Sequence, residues 1–223
     1  MPTRLHLFSS PGNGDISYTL DACRTYLEGK DDPLVAYLPL ASLSGGWLSF
    51  TEKAFRGLGR LETLNSETMT FAEMEAILRR AHVLYIPGGN TFLLSHRLHT
   101  SRWMEHVRKK VQAGLPLVAF SAGSILCGPN ILTSRDMNML ETPHFGGLNL
   151  LQFNLHVHYE DEPYRDDWLA DYHVFQLNPV ILLADGAHLR VENKKTSLVR
   201  GEAWVLRKGQ QKEKLEAGQE IST

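Results

Sequence analysis

The first ~130 residues alternate short apolar runs with stretches of helical spacing. "LHLFSS" (5–10) predicts a first strand, and "PGNGD" a loop after it. Helical spacing follows over 16–29 and closes on Gly29. Further strands are predicted at 34–41, 60–65, 83–88 and 115–121, and helices at 46–59, 70–81 and 102–114. In helix 70–81, Phe71, Met74, Ile77 and Leu78 share one face behind a Thr70 cap. Continuous apolar strands separated by amphipathic helices predict a mostly parallel sheet covered on both faces, a three-layer α/β/α sandwich.

Beyond those first ~130 residues the pattern changes. "PVILLADG", "AHLRVEN", "TSLVRG" and "EAWVLRKG" are short runs broken by turn residues, and they predict C-terminal β-hairpins at the edge of the same domain. No repeat or low-complexity linker interrupts the chain, so residues 1–223 are expected to form a single α/β domain. Catalytic and ligand groups in such sheets gather beyond the carboxyl ends of the strands. The loops after residues 10, 41, 88 and 121 are therefore expected to converge.

Composition narrows the function classes. Apolar residues are 43% and charged residues 22% of the chain, with a net charge of −2. This balance gives no footprint for nucleic acid or an anionic membrane surface. No apolar run approaches the ~20 residues of a membrane span, and the N-terminus lacks the apolar core of a signal peptide. Two cysteines, Cys23 and Cys127, make no disulfide framework. A cytoplasmic setting is the expectation.

The sharpest local signal is "AFSAG" (119–123), where an apolar strand stops on Ser121 among small residues. A strand turning sharply into a helix would lift the corner hydroxyl above the sheet, and bulky neighbours at −2 and +2 would collide across the turn. The Ala122 N–H at the new helix end would face a developing oxyanion. A serine that merely caps a helix gives the same pattern. "IPGGNTF" (86–92) also joins a strand to a helix. Its glycines let the backbone approach a ligand, so that the N–H of Gly89 or Asn90 would be a second oxyanion donor; a tight turn with Thr91 as cap gives the same pattern.

A nucleophilic serine needs a base, and the base an orienting acid. "QFNLHVHYEDE" (152–162) sets His156, His158 and Glu160 in alternation, on one face of a strand. Either histidine suits the role of base. The same spacing has a rival reading as a metal site, and a plain one as a solvated strand face. Asp136 in "SRDM" and Asp185 in "LLADG" are the candidate acids.

Taken in order, "IPGGNTFLL", "AFSAGSILCGPNILTSRDM" and "LLQFNLHVHY" resemble the peptidase E (aspartyl dipeptidase) family of serine peptidases, which is related to cyanophycinases. The resemblance implies a fold like that of class I glutamine amidotransferases. By motif it implies Ser121 as nucleophile, His156 as base and Asp136 as acid, with Asp185 the alternative. Gly89 and Ala122 would form the oxyanion hole. Asn90, His158 and Arg165 would contact substrate, Arg165 as a bidentate clamp for the side-chain carboxylate of an N-terminal aspartate.

The expected activity is hydrolysis of small acidic peptides, without metal or organic cofactor. The alternatives are a cyanophycinase-like or broader serine hydrolase and a silent binding homologue. Cys127, inside the expected helix, reads as a small core residue. Trp103 offers either an apolar face for a homodimer or a core side chain.

Overall fold

Side chains alternate along the first strand between two cores. In β1 (Arg4–Phe8), Leu5 and Leu7 pack into one apolar cluster and Phe8 into another. The computed structural model describes residues 3–10, 15–43 and 48–221, with the backbone alone at 163–165. The loop expected at 11–14 and the start of the helix expected at 46 lie outside the described residues.

The chain continues through α1 (Ser17–Leu27), β2 (Leu34–Tyr37), α2 (Leu48–Ala54), β3 (Arg60–Thr63), α3 (Phe71–Arg80), β4 (Val83–Ile86), α4 (Thr91–Thr100), α5 (Trp103–Gln112), β5 (Leu117–Phe120) and α6 (Ala122–Leu126). β1, β5, β4, β2 and β3 lie side by side in that order and run parallel. Ala36, Leu84, Ile86, Leu117 and Ala119 face one layer with α3 to α6. Val35, Tyr37, Val83, Tyr85 and Val118 face the other with α1. This two-sided burial is the reason the strands read as unbroken apolar runs.

Local chemistry sets several boundaries. Thr70 and Glu73 form a reciprocal capping box at the start of α3. Arg102, at φ 63°, breaks α4 from α5. The strand expected to run to residue 41 stops at Tyr37. Leu38, Leu40 and Ala41 stay buried in the loop beyond, so the apolar run outlasts the strand. Trp103 is 2% exposed in the core and offers no free face. Cys127 is also buried, and burial pushes its thiol up.

The C-terminal runs divide between two sheets. β6 (Asn154–Val157), α7 (Pro163–Phe175) and β7 (Val180–Leu183) precede a hairpin of β8 (His188–Glu192) and β9 (Lys195–Arg200). The hairpin turns at Asn193 and Lys194, both at positive φ, as a tight two-residue turn requires. It extends the main sheet antiparallel to β1. β10 (Ala203–Leu206) instead pairs with β7, which runs parallel to β6. With β11 (Glu213–Lys214) these make a second, four-stranded sheet, while β12 (Glu220–Ile221) edges the first.

Two features position the site. β1 and β5 are neighbours, yet α1 packs on one face of the sheet and α6 on the other. Such a switch opens a crevice beyond the strand ends, and Ser121 follows β5 there. The second sheet brings the ends of β6 and β7 to the same place: His158 N–H donates to Ser9 Oγ, and Ser9 Oγ donates to Leu183 O, joining both strand ends to the end of β1.

Candidate active site

Ser121 sits at φ 50°, ψ −113°, a strained conformation for a side chain with a Cβ. Hydrogen bonds hold it there. Its N–H donates to Phe8 O at 2.9 Å, and its carbonyl accepts from Ser124 and Ile125 N–H. The small residues have steric causes. A Cβ on Gly123 would overlap Ile86 O of β4, and a Cβ on Gly88 would come 3.0 Å from Ser121 Cβ. The 88–89 loop therefore lies directly against the serine. Gly89, at φ 135°, has no room for a side chain, because its Cβ would meet Ala41 O at 2.5 Å. Ala122 opens α6, where its N–H has no intrahelical acceptor.

The histidine on Ser121 is His158. Ser121 Oγ lies 2.8 Å from His158 Nε2, and His158 Nδ1 lies 2.7 Å from Asp185 Oδ1. A carboxylate only accepts, so Nδ1 carries the proton and Nε2 accepts from the serine hydroxyl. β6 ends at Val157, and His158 turns out of it at φ 55°. The alternation expected to place His156, His158 and Glu160 on one face thus stops before His158.

Burial pushes the Asp185 carboxyl up. Hydrogen bonds from Ser10 and His158, with the His158 charge, outweigh this and hold it below its ordinary range. Ser9, which the sequence pattern does not single out, braces both partners. Its hydroxyl accepts the His158 main-chain N–H at 2.8 Å and lies 3.4 Å from Asp185 Oδ1. Its signal is faint: a polar pair, Ser9-Ser10, closing an apolar strand.

His156, expected as the base, is buried on β6. Its Nδ1–H donates to Thr133 O at 2.9 Å, and its Nε2 has no hydrogen-bond partner among the described residues. Burial, with the charges of Arg135 and His158, outweighs the Thr133 bond and lowers its pKa to about 4. The Asn154 of the Asn-x-His motif is structural too: Oδ1 accepts from Asn130 N–H, and Nδ2 donates to Tyr172 OH.

Asp136, expected as the acid, is bound elsewhere. Its Oδ2 accepts from Thr91 N–H at 2.7 Å, Thr91 Oγ at 2.6 Å and Ser134 Oγ at 3.0 Å. It fastens the start of α4 and with it the Gly88–Gly89 loop. Asn90 caps α4 through Oδ1 on Leu93 N–H, and its Nδ2 donates to Met137 O. Arg165 lies in the first turn of α7, with its side chain outside the described residues.

These groups open on a cavity of about 610 Å³ lined by Gly89, Ser121, Arg135, Asp136, His158, Glu160 and Asp185 among others. That is the size of a small-ligand site. Among the described residues no group of three His, Cys, Asp or Glu side chains is placed to hold a metal ion, and no helix is long and apolar enough to cross a membrane.

The chain is similar to known proteins over most of its length. It is 34% identical over 195 residues to a Peptidase E of Shewanella amazonensis, covering 83% of each chain. A Peptidase E of Nostoc sp. is 29% identical over 212 residues, covering 89% of this chain and 86% of its own. The fold matches a solved structure of a putative Peptidase E from Listeria monocytogenes, with a TM-score of 0.72 at 22% identity, over 90% of this chain and all of that one. A peptidase from an acI-B1 Actinobacterium matches at a TM-score of 0.74 and 17% identity, over 100% and 98% of the two chains. The model of peptidase family S51 matches residues 5–199, and the chain belongs to that family.

Proposed function

We propose that the chain is a serine dipeptidase that removes an N-terminal aspartate from small peptides, working as a single domain with Ser121, His158 and Asp185 as its triad. The observation that carries this reading is the continuous hydrogen-bonded path from Ser121 Oγ through the His158 ring to Asp185. As Ser121 Oγ attacks the scissile carbonyl, its proton passes to His158 Nε2, a step worth about 10²- to 10⁴-fold. Asp185 holds the imidazole in the required tautomer and stabilises the imidazolium.

The oxyanion falls to the N–H groups of Gly89 and Ala122, each worth about 10²- to 10³-fold. His158 then protonates the leaving amine. A water deprotonated by the same nitrogen hydrolyses the acyl-enzyme and returns the proton to Ser121. The preference for aspartate rests on the motif resemblance and the relatives named Peptidase E, with Arg165 as the clamp that resemblance implies. A silent binding homologue is less favoured, because Ser121 keeps a histidine within hydrogen-bond reach.

The test is hydrolysis of Asp-Leu by the wild type and Ser121→Ala. Turnover by the wild type and its loss in the variant is the expected result. Equal rates would remove Ser121 from the mechanism.

A further inference from the structure

The cavity at Ser121 is rich in acid. Asp136, Glu160 and Asp185 line it, whereas Arg135 is the one lysine or arginine side chain that does so among the described residues. The charges of two of the acids are already answered. Asp136 Oδ2 takes three donors, from Thr91 and Ser134. Asp185 is held by His158 and Ser9.

Arg135 is different. Its side chain is exposed, and it makes no hydrogen bond or ion pair with any described residue. Its backbone is nevertheless fixed. Ser134 N–H donates to Ile131 O, and Ser134 Oγ accepts from Asp136 N–H while donating to Asp136 Oδ2, which is itself anchored on α4. A guanidinium mounted on a pinned turn, unclaimed by the acids around it and facing the same cavity as the nucleophile, lacks only an anion. Its charge reaches into the site, since it helps hold the His156 ring neutral.

We infer that Arg135, on the turn before Asp136, binds a carboxylate of the substrate, as a second cationic contact beside the Arg165 clamp of the proposed reading. The inference rests on the proposed peptidase reading for what that substrate is. A guanidinium meets a carboxylate through two parallel N–H donors, which gives both affinity and orientation. An Asp-X dipeptide carries two such groups, the aspartate side chain and the C-terminus.

Binding to the Ser121→Ala protein separates recognition from turnover. Asp-Leu, Asn-Leu and Asp-Leu amide are titrated calorimetrically into Ser121→Ala and into the same protein with Arg135→Gln. The expected result is Asp-Leu affinity about 10- to 100-fold weaker in the second protein, the range for a lost charge-assisted pair. If the partner is the aspartate side chain, Asn-Leu binds both proteins alike and Asp-Leu amide keeps the loss. If it is the C-terminus, the amide is the insensitive ligand and Asn-Leu keeps the loss.

Arg135→Lys, which keeps the charge without the fork, is expected to recover part of the affinity. The absence of any effect of Arg135→Gln on the binding of all three ligands would overturn the inference, as would failure of every ligand to bind Ser121→Ala. An Arg135-dependent affinity in a protein whose wild type hydrolyses none of these peptides would leave the inference standing and remove the peptidase reading instead.

Discussion

Ser9 Oγ accepts the main-chain N–H of His158 at 2.8 Å, joining residues 149 positions apart in sequence. One buried hydroxyl at the end of β1 thus fixes where the chain leaves β6, and lies close to Asp185 as well. The relay is held by its backbone as much as by its side chains.

Ser9→Ala removes the acceptor of that N–H from a buried position at the end of β1. The expected cost is about 1–3 kcal/mol of stability, read from denaturant unfolding. As a positioning residue, Ser9 is expected to lower kcat more than it changes KM. A loss of stability with unchanged kcat would reduce its role to packing.

Substitutions at the two histidines and the two acids separate the relay from its surroundings. His158→Ala is expected to reduce kcat by about 10⁴-fold or more, and Asp185→Asn by up to about 10⁴-fold, with the fold intact. Asp136→Asn is expected to weaken the start of α4 by about 0.5–2 kcal/mol, the range for a damaged cap, and to lower activity less than Asp185→Asn does. His156→Gln is expected to affect unfolding more than turnover. Steady-state kinetics with circular dichroism melts on all four reads both effects.

Gly89→Ala puts a Cβ at φ 135° and 2.5 Å from Ala41 O. The loop must shift, and its N–H moves with it. A fall in kcat of about 10²-fold or more is expected, the weight of one oxyanion donor, with the far-UV spectrum unchanged. A variant with wild-type kcat would remove Gly89 N–H from the oxyanion hole.

Stability is expected to fall as pH drops from about 6.5 toward 4. His6 and His188 share a buried hydrogen bond, with Tyr26 on the far side of His6. Burial, with neighbouring positive charge, lowers His6 to about 4 and His188 to about 3, and His156 is lowered to about 4. Native rings stay neutral while the unfolded chain takes up protons near 6.5, so acid favours unfolding throughout that window. The carboxylates add to the loss only at lower pH. A melting temperature flat between about pH 7 and 4.5 would contradict this account.

Much of the fold was legible because its causes are local. The apolar runs at β1, β4 and β5 are strands buried on both faces, and the Thr70 cap marks the start of α3 whatever surrounds it. Ser121 and the Gly88–Gly89 pair were legible for the same reason. A sharp strand-to-helix turn needs small residues within a few positions of itself, and sequence records such requirements directly.

The choice of base and acid was not local. Period-two alternation makes His156 and His158 equivalent for as long as the strand continues. β6 ends at Val157, where His158 turns out at φ 55° and its N–H goes to Ser9, just past β1. Likewise nothing near Asp136 or Asp185 states which carboxylate faces a histidine. The parallel pairing of β6 with β7 brings Asp185 there, while Thr91 and Ser134 claim Asp136. The amino-acid sequence alone determined the apolar strands and the sharp turn that carries Ser121, which depend on neighbours in the chain. Tertiary structure decided which histidine meets Ser121 and which acid meets that histidine, because the contacts that place them span 27 to 149 residues and exist only once two sheets have met.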